Sequence, residues 1–459
     1  MIHSEEIIVA PATLCGGAIA IVRLSGEGSV ELVDGLFRGV NGGGLTEARG
    51  YTLHYGDVVD GDEVVDDVMI SIFRNPHSYT GEDSVEISCH GSSYIVSRII
   101  ELALARGARM AREGEFTIRA FMAGRIDLSQ AEAVADMIAS SNRAMHALAT
   151  TQMRGGYSAM LNEMRSKLVH LSSLIELELD FSEEDVEFAD RGELVSLMDR
   201  LKVEIERLRN SFQVGNAIKE GVGVAIVGAP NAGKSTLLNR ILGEDRAMVS
   251  EIAGTTRDTI EDVVVVDGIK FRFIDTAGIH SSDDRLEQMG IERTYDAMSK
   301  VNIVLQIVDI LELVNGGRVE SIPVSQGQKH IVVLNKIDNI EDSSVVGDVV
   351  KLLSFDCVVT ISARGGVGVD NLLRELKESV DLTGLYEGDA IVSNARHYNH
   401  LSEALKALEN AQSAIQQALS TDLLAEDLRH TLHHIGSITG EITNDEILGT
   451  IFSSFCIGK

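Results

Sequence analysis

The chain has 459 residues, a hydrophobic content of 44% and a formal net charge of −30. The length allows about three domains. The acidic excess argues against a broad electrostatic grip on nucleic acid, so any RNA contact must be local or supplied by a partner. No apolar run is long enough to span a membrane, and the acidic start lacks a signal-peptide pattern.

Four cysteines are scattered along the chain, at Cys15, Cys89, Cys357 and Cys456. Their spacing does not match a metal site, and no pairing pattern is evident. We therefore expect a reduced protein of the cytoplasm.

Residues 1–120 are predicted to form an α+β domain. The pattern indicates three strands and one helix, at Ile7–Ala10, Ala18–Leu24, Val85–Cys89 and Ser93–Ala105. Two polar clusters stand out, Arg23-Leu24-Ser25-Gly26 and His77-Ser78-Tyr79-Thr80-Gly81-Glu82-Asp83. On composition alone, each is either a ligand site or a turn whose charge is satisfied locally.

Helical periodicity begins at about Phe121 and returns near the end of the chain. Ser129 is the predicted N-cap of a first helix, with Glu132 as its capping-box partner. Apolar residues recur at helical spacing between Leu161 and Ile175 and again between Leu401 and Ile415. We predict one helical domain in two halves, 121–217 and 384–459, with a separate domain at 218–383 inserted between them.

The inserted segment begins with a phosphate loop, Gly228-Ala229-Pro230-Asn231-Ala232-Gly233-Lys234-Ser235-Thr236. An apolar strand, Val222–Val227, precedes the loop, and a helix follows it. The glycines let successive backbone N–H groups approach an anion. Lys234 is expected to neutralise β- and γ-phosphate charge, and the Ser235 hydroxyl to hold Mg²⁺.

Three further motifs follow predicted strands: Asp275-Thr276-Ala277-Gly278, Asn335-Lys336-Ile337-Asp338 and Ser362-Ala363-Arg364. An acid at the first can reach Mg²⁺ through water, and Gly278 can sense the γ-phosphate. The carboxylate of Asp338 can accept hydrogen bonds from N1–H and the 2-amino group of guanine, which adenine does not offer. Motifs in this order, each at a strand end, predict a doubly wound GTPase domain.

The segment between the phosphate loop and Asp275 contains Thr256, whose hydroxyl can join the Mg²⁺ shell when a γ-phosphate is present. Ile279 follows Gly278, where Ras-like enzymes place a water-orienting Gln. Because Ile cannot orient water, hydrolysis needs another route. Asn231 either coordinates a monovalent cation through its amide oxygen or is a simple loop residue.

The chain resembles the MnmE (TrmE) family of tRNA modification GTPases along its whole length, and the specific evidence lies outside the GTPase motifs. The resemblance is carried by Ser78–Asp83, Gly114-Glu115-Phe116-Thr117, Asp127-Leu128-Ser129-Gln130-Ala131-Glu132-Ala133, Gly290-Ile291-Glu292-Arg293 and the final Phe455-Cys456-Ile457-Gly458-Lys459. It implies a folate-binding N-terminal domain that forms homodimers, a helical domain, and a K⁺-dependent G domain that is activated by dimerisation. It also implies heterotetramers with the FAD-dependent MnmG (GidA) protein and modification of the wobble uridine of tRNA at C5, with methylenetetrahydrofolate as carbon donor.

The resemblance assigns roles by matching position. K⁺ would be held by Asn231, Ser250, Ile252 (through its backbone) and Thr255, and Mg²⁺ by Ser235 and Thr256. Glu287 would orient the attacking water, and Cys456 would act in the modification. The folate positions are Arg23, Glu82, Arg125, where the family usually has Lys, and Lys459. The remaining positions expected to contact GTP are Ala232, Gly233, Lys234, Thr236, Glu251, Ala253, Gly254, Asp275, Thr276, Ala277, Gly278, Asn335, Lys336, Asp338, Ser362, Ala363 and Arg364.

Two alternative functions compete with this one. A ribosome-assembly GTPase would use its flanking domains only to dock RNA, and the acidic charge disfavours it. A dynamin-like scaffold would need a basic membrane-binding patch, which we do not find in the sequence. The tail cysteine and the N-terminal clusters favour a modification enzyme.

Overall fold

The computed structural model describes residues 6–40, 42–180, 191–243, 248–249, 261–275, 298, 301–325, 327–380, 390–417, 419–443, 445–453, 455 and 457–458. Within these ranges, no helix combines the length and the apolar character that a membrane crossing requires.

The strands in chain order are β1 Ile8–Pro11, β2 Ile19–Ser25, β3 Phe37–Gly39, β4 Thr52–Asp60, β5 Glu63–Phe73, β6 Ser84–His90, β7 Arg109–Met110, β8 Val222–Val227, β9 Met248–Val249, β10 Glu261–Val266, β11 Ile269–Asp275, β12 Ile303–Asp309, β13 Lys329–Asn335 and β14 Val358–Thr360. The helices are α1 Ser29–Asp34, α2 Ser93–Ala105, α3 Glu115–Met122, α4 Leu128–Ala139, α5 Arg143–Met153, α6 Gly156–Asp180, α7 Arg191–Glu220, α8 Lys234–Leu242, α9 Ile310–Val314, α10 Ser343–Leu352, α11 Val369–Glu378, α12 Ala395–Gln416, α13 Thr421–Thr439 and α14 Asp445–Phe452.

The chain divides into two compact units. The first contains Met1–Ala139, Gln152–Leu197 and Lys406–Lys459, and the second contains Ser140–Thr151 and Met198–Leu405. Each unit is therefore built from segments that are distant in sequence.

The described N-terminal strands of the first unit form one mixed sheet in the order β3-β4-β5-β6-β2-β1-β7. Neighbours are antiparallel except β1 and β7, which run parallel. One face is covered by α1 and α2, and alternate residues of β2 (Ala20, Val22 and Leu24) point into that core. The side chain of Arg23 therefore lies on the opposite face, where β2 pairs it with Glu86 of β6.

Helix α4 begins with a capping box, but at a different position from the one predicted. Asp127 Oδ1 accepts hydrogen bonds from the Gln130 backbone N–H (2.9 Å) and the Ser129 hydroxyl (2.8 Å). Gln130 Oε1 in turn accepts the Asp127 backbone N–H at 3.0 Å. The prediction of Ser129 with Glu132 was wrong, because Asp127 lies one residue before the first helical residue and its carboxylate reaches the orphan donors.

The helical part of the first unit pairs α6 with α13. The apolar stripe predicted on α6 is buried, from Leu161 to Ile175. An ion pair between Arg429 and Glu176 (3.2 Å) joins the two helices at their exposed edge. A helix that precedes residues 218–383 in sequence thus packs against one that follows them.

The second unit contains a doubly wound sheet, which the described strands form in the order β14-β13-β12-β8-β11-β10-β9. The five strands from β14 to β11 are mutually parallel, and β10 and β9 continue the sheet antiparallel at one edge. All six residues of β8 are buried. A near-continuous apolar strand is what a parallel sheet covered on both faces requires.

Candidate functional site

The phosphate loop lies between β8 and α8, and two of its glycines cannot be replaced without rearrangement. Gly228 has φ 147° and Gly233 has φ 107°. A Cβ on Gly228 would overlap the Ile307 carbonyl, and one on Gly233 would overlap the amide nitrogen of Asn335. The loop therefore packs directly on the ends of β12 and β13, where parallel sheets place their ligands.

Lys234 is the first residue of α8, and only 7% of it is exposed. Its Nζ donates to the carbonyl oxygens of Gly228 (2.7 Å) and Ala229 (2.9 Å), so the ammonium lies across the loop. Ser235 and Thr236 follow in the first turn and are exposed. A buried cation, exposed hydroxyls and the N-terminus of a helix together fit a bound polyphosphate with Mg²⁺ at Ser235.

Asn335, at the end of β13, joins three of the predicted motifs. Its Nδ2 donates to the Ala232 carbonyl of the phosphate loop at 2.8 Å. Its Oδ1 accepts the Ala363 backbone N–H at 3.0 Å. Because the side chain is 2% exposed, the two bonds form in a dry environment and fix the phosphate loop relative to the predicted base-binding loop.

Lys336 has φ 66°, a conformation that L-residues seldom adopt. Its Nζ donates to Asp309 Oδ2 at 2.7 Å, and the other oxygen of Asp309 caps α9 through the Leu311 N–H at 3.0 Å. Asp338 lies two residues further on, in a short 3₁₀ turn, and is exposed. An exposed carboxylate on an anchored turn is suited to reading the donor edge of guanine.

The loop at Ser362 to Arg364 is held from both sides. Ser362 Oγ accepts the Gly365 N–H at 2.9 Å. The guanidinium of Arg240, in the last turn of α8, donates to the carbonyl oxygens of Ala363 (3.3 Å) and Arg364. Sequence reasoning missed Arg240, because a basic residue in the last helical turn is already explained by the helix dipole.

Several predicted site residues lie outside the described part of the chain. They are Ser250, Glu251, Ile252, Ala253, Gly254, Thr255, Thr256, Thr276, Ala277, Gly278, Glu287, Cys456 and Lys459. Asp275 is described only as the last backbone position of β11. Asn231 is described, and it is exposed in the phosphate loop with φ 63°.

A second polar cluster lies in the first unit, on the side of the sheet away from α1 and α2. Arg23 pairs with Glu86 at 2.8 Å and donates from Nη1 to the Gly458 carbonyl at 3.2 Å. Its guanidinium lies 5.7 Å from the centre of the Phe116 ring. The predicted folate residue Arg23 therefore contacts the C-terminal tail of the same chain.

Glu82 belongs to the same face, and its carboxylate is bound by two neighbours. Its Oε2 accepts a hydrogen bond from Arg119 Nη1 at 2.8 Å and another from Ser25 Oγ at 3.0 Å. Arg119 is 3% exposed. Sequence reasoning did not identify Arg119 as a site residue, because it lies in the middle of α3 like any helical arginine.

Arg125 and Tyr79 complete the described part of the cluster. Arg125 is exposed, and a Cβ on Gly81 would lie 3.4 Å from its Cγ, so it lies beside the loop that carries Glu82. The Tyr79 hydroxyl is 3.0 Å from the Thr117 hydroxyl. Burial raises the pKa of Tyr79, and the Thr117 bond and the charge of Arg23 offset part of that rise. Tyr79 is thus a neutral hydroxyl near Arg23.

Comparison with known proteins settles the family. A family model described as "GTP-binding protein TrmE N-terminus" matches residues 7–125, and one described as "MnmE helical domain" matches residues 128–456. The tRNA modification GTPase MnmE of Flavobacterium johnsoniae is 47% identical over 99% of this chain and 100% of its own length. That of Bacteroides thetaiotaomicron is 48% identical with the same coverage.

The chain belongs to the MnmE family of tRNA modification GTPases. The family predicted from the sequence is confirmed, and with it the class of enzyme, a GTPase. The helical-domain match, over residues 128–456, includes the strands of the doubly wound sheet. A crystal structure of an Aquifex aeolicus Era variant bound to GDP·AlF4⁻ is also similar, at 28% identity over 40% of this chain and 66% of that one, but its TM-score is only 0.27.

The residues around the family's final Cys-Ile-Gly-Lys motif dock on the N-terminal domain within the first unit. Ile457 forms an antiparallel bridge with Glu113. A Cβ on Gly458, whose φ is 100°, would overlap the Pro11 carbonyl. Gly114 packs against Phe452 and Phe455. The described tail residues therefore lie within contact distance of the cluster that contains Arg23.

Proposed function

We propose that this MnmE-family protein uses GTP hydrolysis to drive modification of the wobble uridine (U34) of certain tRNAs at C5. The group added is a carboxymethylaminomethyl or aminomethyl group, and the methylene carbon attached to C5 comes from methylenetetrahydrofolate. The reaction is shared with the FAD-dependent partner MnmG (GidA), in a heterotetramer. The observation that carries the proposal is the likeness to tRNA modification GTPases over essentially the whole chain, polar cluster and tail included.

GTP is the proposed nucleotide because the described motifs meet at one edge of one sheet. Lys234 and the N-terminus of α8 supply positive potential for phosphates, and Ser235 supplies a hydroxyl for Mg²⁺. Asn335 fixes the loops on either side, and the exposed Asp338 is available to the base. These features support a guanine nucleotide.

A monovalent cation is the proposed replacement for the missing water-orienting Gln. Asn231 is exposed within the phosphate loop, where its amide oxygen is free to join Ser250, Ile252 and Thr255 around K⁺. Bound there, K⁺ would add positive charge beside the transferring phosphoryl group. Thr256 would complete the Mg²⁺ shell, and Glu287 would orient the attacking water through a second water. Pairing of two G domains would activate hydrolysis.

The N-terminal cluster is the proposed folate site, with Arg23, Glu82, Arg125 and Lys459 as ligand contacts. Glu82 offers an acceptor to the N–H groups of a pterin ring, and the arginines offer donors to carboxylates. The contact of Arg23 with Gly458 supports a site that includes the tail. Cys456 stands between Phe455 and Ile457 in the sequence, and we assign it to the modification step.

Homodimerisation through the N-terminal sheet is supported by apolar side chains on the sheet face opposite α1 and α2. Ile19, Leu53, Tyr55 and Met69 are 67, 65, 55 and 39% exposed. Leu53, Tyr55 and Met69 lie on the adjacent strands β4 and β5, where Tyr55 pairs directly with Met69, and Ile19 lies on β2, two strands away from β5. A cluster of exposed apolar side chains on a sheet face is typical of a protein–protein interface. We propose that a second copy of the chain covers it.

Reconstitution tests the proposal directly. The protein is combined with MnmG, unmodified tRNA, methylenetetrahydrofolate, FAD, an amine donor and GTP, and nucleosides are then measured by mass spectrometry. We expect a C5-modified wobble uridine that requires both GTP and the folate. Glu287→Ala should bind GTP but hydrolyse it about 10²–10³-fold more slowly. Cys456→Ser should hydrolyse GTP normally and yield no modified nucleoside. Modification that persists without GTP, or without folate, would refute the proposed coupling.

A further inference from the structure

The two carboxylate oxygens of Glu82 have different surroundings. Oε2 accepts both available protein donors, Arg119 Nη1 at 2.8 Å and Ser25 Oγ at 3.0 Å. Oε1 has no hydrogen-bond partner among the residues that the structure describes. The Glu82 side chain is 20% exposed. One oxygen is therefore bound by the protein while the other is left as an acceptor.

Arg119 is held in place from several directions. Its Nη2 donates to the Glu6 carbonyl at 2.8 Å and lies 3.4 Å from Glu115 Oε1. Its Nε is buried, with no partner in the described ranges. Since the guanidinium is planar and 3% exposed, contacts through both of its terminal nitrogens fix its plane. The ion pair with Glu82 consequently has one geometry.

The charge of Arg119 is available to Glu82 because another arginine neutralises Glu115. Arg109 donates to both oxygens of Glu115, from Nη1 at 2.8 Å and from Nη2. The Arg112 backbone N–H adds a third bond at 2.8 Å. Three of the four hydrogen bonds to Glu115 therefore come from groups other than Arg119, whose shortest carboxylate contact is with Glu82.

The backbone around Glu82 is anchored as firmly as its carboxylate. Ser78 Oγ donates to the Glu82 carbonyl. The next residue, Asp83, accepts the Gly26 N–H at 3.0 Å through its carbonyl, and its carboxylate accepts Arg74 Nη1 at 2.7 Å. The direction of Oε1 is therefore set by the side-chain contacts with Arg119 and Ser25, because the loop itself has little freedom.

We propose that Arg119 is a positioning residue of the folate site. It does not touch the ligand; it holds Glu82 so that Oε1 faces the N–H donors of a bound heterocycle that carries adjacent amino and ring N–H groups, as a pterin does. The inference rests on the proposed folate function. Neither family resemblance nor composition singles out Arg119, and its assignment follows from the contacts above.

Calorimetric titration with 5-formyltetrahydrofolate tests the proposal on the full-length protein. Glu82→Gln should weaken binding about 10–100-fold, the scale of a lost charge-assisted hydrogen bond. Arg119→Met should weaken binding to a similar extent. The double variant should be no weaker than Glu82→Gln alone, because both changes remove the same interaction. Arg119→Lys keeps the charge but cannot hold Glu82 and the Glu6 carbonyl together, so it should fall between wild type and Arg119→Met.

Arg98→Met is the matched control. Arg98 also binds carboxylates, those of Asp60 and Glu101, but it lies on α2, on the other side of the sheet from the Arg23 cluster. It should change the folate Kd by less than about threefold even if the melting temperature falls. Far-UV circular dichroism and the melting temperature report whether each variant is folded. Where Arg119→Met does not fold, Arg119→Lys decides the question.

The possible outcomes distinguish a failure of the Arg119 inference from a failure of the proposed folate site. Wild-type affinity in Arg119→Lys and Arg119→Met would overturn the positioning role, as would losses that multiply in the double variant or an equal loss in Arg98→Met. No binding by the wild type, or no effect of Glu82→Gln, would instead overturn the folate site itself.

Discussion

Asn335 shows how one buried amide can organise a nucleotide site. Its two hydrogen bonds, to the Ala232 carbonyl and from the Ala363 N–H, link loops that lie far apart in sequence. The motif identified Asn335 as a GTP residue, and the structure shows that its described contacts are with protein. It acts on the nucleotide by fixing the two loops.

Replacing Asn335 with Ala should leave a buried donor and a buried acceptor unpaired. An unsatisfied buried group costs about 1–3 kcal/mol, so GDP affinity should fall roughly 10–100-fold. Titration with a fluorescent GDP analogue measures the change. Asn339→Ala, on the exposed turn nearby, is the control and should bind like wild type. Equal GDP affinity of Asn335→Ala and wild type would contradict the proposed role of Asn335 in fixing the two loops.

Asn231 carries the prediction about monovalent cations. If its amide oxygen helps to hold K⁺, the GTPase rate should be much higher in K⁺ than in Na⁺ and should rise with protein concentration as G domains pair. Asn231→Lys should place an ammonium near the cation site, so the remaining activity should depend less on K⁺. Steady-state phosphate release in matched chloride salts gives both quantities. Equal wild-type rates in Na⁺ and K⁺ would exclude the cation mechanism.

At the scale of elements, the first turn of α3 depends on a buried ion pair. Burial opposes the charge of Glu115, but the hydrogen bonds from Arg109 and the Arg112 N–H, with the arginine charges, outweigh it and lower the pKa of the carboxyl from 4.5. A lowered folded-state pKa means that the stabilisation is complete above the unfolded pKa and is lost as pH falls through the folded value.

We therefore expect Glu115→Gln to reduce the free energy of unfolding by about 1–3 kcal/mol at pH 7, and by less as the pH falls below about 4.5. Melting temperatures of the variant and wild type from pH 7 to pH 3.5 measure this convergence. Glu101→Gln removes an exposed (i, i+3) partner of Arg98 and should have little effect at any pH. A Glu115→Gln difference that does not change with pH would show that the charge is unimportant.

The element-level differences between sequence and structure have physical causes. Strand β8 was predicted because all its residues are apolar, but the long hairpin of β4 and β5 was not predicted. On β4 the apolar Leu53 and Tyr55 face outward, and Gly56 and Val58 face the core, so the usual alternation is masked. A bulge between Val58 and Val59 then shifts the register. Two capping-box patterns overlap at the start of α4, Asp127 with Gln130 and Ser129 with Glu132. The prediction chose the second, whereas the structure forms the first.

The sequence predicted some residues of the candidate sites but not others. Glycine-rich loops and strand-end motifs have local signals, so Asn231 to Thr236, Asn335 and Asp338 could be found from spacing alone. Arg119, Glu86 and Arg240 could not, because each acts through a partner that is distant in sequence. Contacts of this kind exist only after folding, and a single sequence does not record them.

At the scale of the whole molecule, the exposed apolar side chains on the N-terminal sheet face opposite α1 and α2 predict a dimer. Tyr55→Asp would place a charge opposite Met69 in the proposed interface, and a buried unpaired charge is strongly unfavourable. We expect the dimer to dissociate at micromolar concentration in sedimentation equilibrium. Tyr94→Asp, on α2 and 69% exposed, should remain dimeric. A Tyr55→Asp dimer as tight as wild type would place the interface elsewhere.

The central claim is that GTP hydrolysis and the N-terminal cluster serve one reaction on tRNA. The most direct test is the wobble-nucleoside composition of tRNA from cells that lack this protein, with and without plasmid-borne copies. We predict that C5-modified wobble uridine disappears in the deletion, returns with the wild type, and does not return with either Glu287→Ala or Cys456→Ser. Unchanged wobble nucleosides in the deletion strain would contradict the account.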